Sequence, residues 1–305
     1  MTRPRRRIVD GVLLLDKPVG ISSNTALQEA KRLLGAAKAG HGGTLDPLAS
    51  GLLPLLFGEA TKFARFGLDS DKTYLAAVRL GVRTATGDAE GEVLERRPVE
   101  VDEAQLAAAL GRFRGEIAQV PPMYSALKRD GRPLYELARA GETVEREARR
   151  LTIHELVLQE RDGSLLRLRV RCSKGTYIRQ LAEDLGEALG TCAHLEALRR
   201  TGAGDFTLSQ ALDLERFRAL DEAGRQGCLL PADSLLAALP AVRLAAQETL
   251  RFRQGQAVWA GSAPAPACRV LGDTGALLGV GEAGADGNLR PLRLMSQHPE
   301  SGATG

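Results

Sequence analysis

The sequence has few of the residues that build metal and redox sites. Its 305 residues include four cysteines and four histidines. Cys172, Cys192, Cys228 and Cys268 lie far apart with no CxxC pair, and the histidines are scattered as well. This spacing fits no zinc site and favours reduced, mostly buried thiols, as in a cytosolic protein. We therefore expect no metal ion and a cytoplasmic location.

Long apolar runs and a strong net charge are also missing. No stretch is apolar enough to cross a bilayer, and the run Val12 to Leu15 is too short for the core of a signal peptide. The formal charge of +3 is only mildly basic and decides little about partners. With 44% hydrophobic and 26% charged residues, the composition is that of a soluble globular protein with one large or two ordinary domains.

One stretch gathers conformationally special residues around a single acid. It runs from His41 to Gly58 and reads HGGTLDPLASGLLPLLFG. Glycine permits positive φ and a close approach by another chain, and Pro47 disfavours helix at the preceding Asp46. The pattern predicts a stiff, non-helical loop that carries Asp46 and leads into the apolar run Leu52 to Phe57. The Asp-Pro pair alone is more typical of an ordinary turn.

The longer string favours a catalytic interpretation. The segment Thr44 to Pro54, led by His41 to Gly43, resembles the catalytic motif of the TruB-type tRNA pseudouridine synthases. Two further strings resemble the same family in order and spacing: Cys172 to Arg179, CSKGTYIR, and Ala193 to Arg200, AHLEALRR. The resemblance spans about Asp10 to Leu294.

The resemblance implies an isomerase that converts uridine 55 in the T-loop of tRNA to pseudouridine. It makes Asp46 the catalytic aspartate and Arg179 the cation that holds it, which we expect to be a bidentate contact. Tyr74 would stack on the uracil, and His41 would enter the space that the flipped-out base leaves. The positions implied in substrate binding are His41, Tyr74, Tyr177, Arg179, Leu198 and Lys17, the last as a support of the loop.

The chemistry explains why a lone carboxylate suffices. Making pseudouridine breaks the N1–C1′ bond, turns the uracil and joins C5 to C1′, with no change of oxidation state, so no cofactor is needed. The carboxylate can attack C1′, as in retaining glycosidases, attack C6 of the base, or remove the C2′ proton to give a glycal. The sequence leaves these three routes open.

The expected fold class is α+β. By resemblance it is a large mixed, mostly antiparallel sheet flanked by helices, the pseudouridine synthase fold, followed by a small C-terminal β-barrel of the PUA-like, RNA-binding type. Short strands separated by glycine turns after residue 240 agree with the barrel. The expected domains are residues 1–235 for catalysis, 240–296 for the PUA-like part and 297–305 as a tail.

Several local features are also predicted. Thr25 and Gln28 form a possible capping box for a helix that ends near Gly35. Residues 59–66 are expected to be helical with Lys62 exposed. Arg3, Arg5, Arg6 and Arg7 form a basic arm, either solvated and disordered or in contact with phosphate.

Three other functions compete with this interpretation. A tRNA-binding or folding chaperone without essential catalysis would explain the basic patches but not the Asp46 loop. A related isomerase would act on another RNA, such as ribosomal RNA in a guide complex. A glycoside or nucleoside hydrolase needs a second carboxylate, which the motif lacks. The expected partner is the T-arm of tRNA, with no membrane and no obligate protein partner.

Overall fold

A computed structural model describes residues 7–125, 127–129, 131–261 and 266–296 of the chain. Arg3, Arg5 and Arg6 of the predicted arm, and the predicted tail 297–305, lie outside the described residues. The prediction that the arm is disordered is wrong for Arg7. Its backbone N–H donates to the carbonyl oxygen of Gly35 at 2.8 Å, and its guanidinium pairs with Glu222. These contacts hold Arg7 against the end of the first helix.

The described residues form strands and helices throughout the chain. The strands are β1 (Gly11–Lys17), β2 (Ala39–His41), β3 (Ala49–Phe57), β4 (Lys72–Leu80), β5 (Val82–Thr84), β6 (Val93–Arg96), β7 (Gly115–Gln119), β8 (Lys128–Arg129), β9 (Arg132–Pro133), β10 (Arg149–Asp162), β11 (Leu165–Cys172), β12 (Ala193–Ala203), β13 (Phe206–Thr207), β14 (Leu212–Asp213), β15 (Ala241–Arg243), β16 (Val258–Trp259), β17 (Ala267–Leu271), β18 (Leu277–Ala283) and β19 (Asn288–Leu294). The α-helices are α1 (Ser23–Leu34), α2 (Ala64–Asp69), α3 (Glu103–Arg112), α4 (Leu134–Arg139), α5 (Ile178–Ala188), α6 (Leu214–Ala219), α7 (Glu222–Gly227) and α8 (Ala246–Arg253).

The large sheet is mixed and mostly antiparallel, as expected. Its order is β14-β1-β3-β12-β4-β11-β10-β7, with β2 paired to β3 and β13 to β12. The β1–β14 and β3–β12 pairs are parallel, and the other strand pairs named here are antiparallel. In β11 the apolar residues between Leu166 and Cys172 are buried, while Arg167, Arg169 and Arg171 are exposed. This strict alternation gives the strand one buried side and one solvent-facing side.

Helices pack on one face of the large sheet. Leu27 of α1, Leu110 of α3 and Leu181 of α5 belong to one buried core with Val78 of β4 and Leu168 of β11. Burial of each such leucine contributes about 1.5–3 kcal/mol relative to exposure. On the opposite face, the three arginines of β11 are exposed to solvent.

The first helix begins earlier than predicted. Its N-cap is Ser22, whose extended backbone (ψ 157°) lets the Oγ atom accept the N–H of Thr25. Thr25 is thus the third residue of the helix, and the predicted box of Thr25 with Gln28 is wrong. The predicted end is confirmed, because Gly35 adopts the left-handed conformation with φ 63° that closes many helices.

A second, smaller sheet follows in the chain. Its order is β15-β17-β18-β19-β16, it curls into a half-barrel, and it has its own core around Phe252 and Val270. This agrees with the expected PUA-like end. The division at residues 235 and 240 stays a prediction.

The segment between β3 and β4 joins the two sheets. Residues 58–63 form a 3₁₀ helix that continues into α2, which confirms the predicted helical stretch. Lys62, predicted to be exposed, is instead bonded at the interface: its Nζ donates to Glu59 Oε2 (2.8 Å), the carbonyl of Leu294 (3.0 Å) and Ser296 Oγ (2.8 Å). Phe63 packs beside Leu236 and Val280 in a small core between the sheets.

A substitution at Gly51 tests how closely β3 and β12 must approach. Gly51 has φ +101°, and a Cβ atom there would lie 2.3 Å from the carbonyl oxygen of Arg200. Because both the backbone and the neighbour resist a side chain, we expect Gly51→Ala to lower the free energy of unfolding by about 3 kcal/mol or more. Urea denaturation measures the loss.

The matched control is Gly190→Ala. Gly190 also has a positive φ, +75°, but no heavy atom lies within 4 Å of its Cβ position. This variant should lose only the conformational term, about 1 kcal/mol. Equal losses in the two variants would contradict the close approach.

Candidate active site

Asp46 lies on a non-helical loop between β2 and β3, as the sequence predicts. The loop is tied to the start of α1 by Ser23, whose Oγ accepts the N–H of Leu45 (2.7 Å) and donates to the carbonyl of Leu45 (2.9 Å). The N–H of Ala49 donates to the carbonyl of Asp46 at 3.1 Å and closes a turn. Both sides of Asp46 are therefore fixed.

Arg179 reaches Asp46 from the start of α5. Its Nε donates to Asp46 Oδ2 at 3.0 Å, and the Arg179 side chain is 7% exposed whereas that of Asp46 is 45% exposed. The predicted bidentate contact is wrong, because the two terminal nitrogens donate to the carbonyls of Thr86 (2.9 Å) and Tyr124 (2.7 Å). Three acceptors on three segments thus fix the guanidinium plane, and a single N–H is aimed at Asp46.

Asp88 is a second carboxylate beside Arg179. It is 5% exposed, and its Oδ2 lies 3.6 Å from Arg179 Nε. Its other oxygen accepts Thr86 Oγ1 (2.5 Å) and the N–H of Glu90 (3.2 Å). The arginine therefore lies between a buried and a half-exposed carboxylate.

A cavity of about 370 Å³ opens beside Asp46. The structure brings five of the seven predicted site residues to its wall: Asp46, Tyr74, Tyr177, Arg179 and Leu198. Burial raises the pKa of the Tyr74 phenol, with Arg200 opposing this, and burial also raises the pKa of Tyr177. Both phenols are therefore neutral at pH 7. A carboxylate beside a buried guanidinium and an aromatic wall is suited to nucleophilic attack or to proton abstraction.

Lys17 and His41 do not line that cavity. Lys17 is fully buried, and its Nζ donates to the carbonyls of Pro18 (2.8 Å) and Ile21 (2.7 Å), so it braces a turn near the loop. Burial lowers the pKa of Lys17 to about 8, although Asp46 opposes this. The His41 ring has a pKa lowered by burial and by Arg200, and its Nδ1 has no hydrogen-bond partner among the described residues.

Arg200 is a site residue that the sequence analysis missed. It is 1% exposed and lines the cavity. Its Nε donates to the carbonyl of Leu52 (2.7 Å), and its terminal nitrogens donate to those of Gly43 (3.1 Å) and Thr44 (3.4 Å). Arg200 therefore holds the loop that carries Asp46.

Lys72 is the second site residue that was missed. It is 7% exposed, and its Nζ donates to the carbonyls of Gly67 (2.8 Å), Leu68 (2.9 Å) and Ser70 (2.6 Å) at the end of α2. The sequence contained a signal for Lys72. It lies two residues before the predicted Tyr74, and alternate residues of a strand face the same side of the sheet. The same argument links Arg200 to Leu198.

Metal-ligand clusters and membrane-spanning helices are not found among the described residues. Within the part of the chain that the structure describes, no group of three or more His, Cys, Asp or Glu side chains could hold a metal ion. Among the same residues, no helix is both long and apolar enough to cross a membrane.

Family comparisons match most of the chain. Residues 31–178 match the TruB family pseudouridylate synthase N-terminal domain, 179–237 the tRNA pseudouridylate synthase B C-terminal domain, and 240–295 the pseudouridine synthase II TruB C-terminal domain.

Individual relatives agree with these families. A tRNA pseudouridine synthase B of Burkholderia lata is 64% identical, covering 83% of this chain and 80% of its own length. A tRNA pseudouridine synthase B of Cupriavidus metallidurans is 57% identical, covering 96% of this chain and 98% of its own length. Among solved structures, a chain from a Cbf5-Nop10-Gar1 complex superposes with a TM-score of 0.70 at 28% identity, covering 90% of this chain and 79% of that one. The chain belongs to the TruB family of pseudouridylate synthases.

Proposed function

We propose that this enzyme isomerises uridine 55 in the T-arm of tRNA to pseudouridine, with Asp46 as the reacting carboxylate. The observation that carries the proposal is the 3.0 Å contact between Arg179 Nε and Asp46 Oδ2 at the wall of a cavity bounded by Tyr74 and Leu198. The name shared by the relatives, tRNA pseudouridine synthase B, supports tRNA as the substrate.

The geometry supports a role for Asp46 as an anion. A nearby cation favours the charged form of a carboxylate when substrate excludes water from it. Arg179 is fixed by two carbonyls as well, so it need not reorganise when the substrate binds. Asp46 can then attack C1′ or C6, or take the C2′ proton, and each route uses this one carboxylate.

The size of the cavity supports base flipping. At about 370 Å³ it lies in the range of small-molecule pockets and cannot admit an RNA helix, so the target uridine has to leave its stack. Tyr74 and Leu198 offer flat and apolar surface for the extruded uracil. Stacking on an aromatic side chain is worth about 1–3 kcal/mol per base, which offsets part of the stacking lost in the RNA.

The remaining roles belong to the same proposal. His41 occupies the space of the extruded base in the T-loop, Tyr177 closes the cavity wall, and Lys17 supports the loop from within. Residues 1–235 carry the catalytic site, and residues 240–296 contact the tRNA outside the T-loop. The enzyme works in the cytoplasm, where its substrate is made.

Arg179→Lys tests the role of the fixed guanidinium. Lysine keeps the charge but cannot donate to Asp46, Thr86 and Tyr124 from one rigid plane. We expect the single-turnover rate of pseudouridine formation to fall by about 100-fold or more, which corresponds to roughly 2.7 kcal/mol of transition-state stabilisation. Quench-flow assays with excess enzyme measure this rate.

Arg167→Lys provides the control. Arg167 is an exposed arginine of β11 that pairs with Glu160 at 3.0 Å, outside the cavity. This variant should react at the wild-type rate. A near-normal rate for Arg179→Lys would remove Arg179 from the proposed role.

His41→Ala separates binding from chemistry. If His41 fills the space of the extruded base, its loss should raise KM more than it lowers kcat, because the flipped state of the RNA becomes less populated. Steady-state assays over a range of tRNA concentrations measure both constants. An unchanged kcat/KM would contradict the role.

The central experiment compares wild type with Asp46→Asn on unmodified tRNA. Asparagine matches aspartate in shape but is neither a nucleophile nor a base. Carbodiimide treatment followed by primer extension should show a stop that reports pseudouridine 55 with wild type and none with the variant.

The other outcomes separate the competing functions. Modification at a different nucleotide would mean another RNA target. Tight tRNA binding by both proteins without any modification would favour a tRNA-folding chaperone.

A further inference from the structure

Two buried cations lie side by side beneath the Asp46 loop. A Cβ atom built on Gly43, three residues before Asp46, would lie 3.4 Å from Arg200 Nη1 and 3.8 Å from Lys72 Cε. Both side chains therefore pack against the bare backbone of this glycine, whose φ is +138°. Burial, and next the charge of Arg200, lower the pKa of Lys72 to about 8.

Neither cation has a carboxylate in contact. Among the described residues, neither Lys72 nor Arg200 forms an ion pair with a carboxylate. Each donates to three main-chain carbonyls, and Lys72 Nζ also lies 3.3 Å from Ser70 Oγ. The half-buried Lys62 is different, since its Nζ contacts the Glu59 carboxylate.

Burying like charges without counterions opposes folding, so this arrangement calls for a functional explanation. Both residues line the cavity that Asp46 faces. Carbonyls occupy three of the five N–H donors of Arg200 and accept three bonds from the Lys72 ammonium, so both cations act on the cavity mainly through their electric field. Such a field is strong where water is excluded, and it needs no rearrangement during the reaction.

We propose that Lys72 and Arg200 form a cationic floor that stabilises the uracil anion released when the glycosidic bond breaks. This inference rests on the proposed function and extends it to two further residues.

The charge balance of the reaction explains why a fixed floor is effective. When the N1–C1′ bond breaks, its electron pair stays on N1 and delocalises over the uracil ring and its carbonyl oxygens. Asp46 meanwhile becomes neutral, either by bonding to C1′ or by taking the C2′ proton. One negative charge therefore moves from Asp46 to the base, and the floor faces it in both positions. C5 then bonds to C1′. In the ester route this breaks the Asp46–C1′ bond, and in the glycal route Asp46 returns its proton to C2′, so the carboxylate is restored in both. Loss of the C5 proton and protonation of N1 give the neutral product.

The first test compares Lys72→Met with Lys72→Arg. Methionine removes the charge and fills similar space, whereas arginine keeps the charge. With saturating tRNA we expect Lys72→Met to lower the single-turnover rate by about 100-fold while tRNA affinity, measured by filter binding, changes less than threefold. Lys72→Arg should stay within about tenfold of wild type. Lys62→Met is the control, because it removes a half-buried lysine that does not line the cavity, and it should react at the wild-type rate.

The second test compares the pH profiles of wild type and Lys72→Arg. It tests the proposal even if Lys72→Met does not fold. The groups that influence Lys72 are Arg200 of β12, Cys172 of β11, and Asp69 and Asp71 beside α2. Raising the pH through about 8 removes the Lys72 charge, so the wild-type single-turnover rate should fall about tenfold per pH unit above that point. The arginine of Lys72→Arg does not titrate in this range, so the rate of this variant relative to wild type should rise above pH 8. Lys17, whose pKa is also lowered to about 8, titrates in both proteins and cancels from that ratio.

Two results would overturn the proposal: a folded Lys72→Met that reacts at the wild-type rate, or superimposable alkaline limbs for wild type and Lys72→Arg. If the proposed function itself is wrong, the result differs from both of these, because the wild-type protein would form no pseudouridine at any pH.

Discussion

The three hydrogen bonds from Arg200 to main-chain carbonyls hold the active site together. They join β12 to the loop that precedes β3, and β12 lies between β3 and β4 in the sheet. In register, Arg200 lies opposite Gly51 on one side and Tyr74 on the other. The carboxylate, the aromatic wall and the arginine beneath them are therefore set by the pairing of three central strands. Gly51 lacks a side chain because the Arg200 backbone occupies that space.

The three cations of the site lie deeper than Asp46. Asp46, the proposed reacting carboxylate, is half-exposed at the mouth of the cavity, whereas Arg179, Lys72 and Arg200 are almost fully buried. In the proposed complex, RNA covers the cavity and excludes the water around Asp46. The field of the cations then grows because the dielectric falls. On this proposal, the folded protein holds its cations in place before the uracil anion forms.

Local signals in the sequence predicted the elements but not the long-range contacts. The glycines and prolines around Asp46, the alternation in β11 and the left-handed Gly35 all act over a few residues, and the structure agrees with them. The burial of Arg200 depends instead on carbonyls about 150 residues earlier in the chain, at Gly43, Thr44 and Leu52. The bidentate Arg179 contact was wrong for the same reason, since the carbonyls of Thr86 and Tyr124 compete for its nitrogens.

The short helical segment between β3 and β4 has a consequence for the stiffness of the cavity. At its start, Lys62 and Phe63 contact the C-terminal sheet, and at its end Leu68 lines the cavity while Lys72 donates to the Leu68 carbonyl. Because both ends are packed, the segment is a rigid connection. A shift of the C-terminal sheet relative to the large sheet would therefore strain the cavity wall at Leu68.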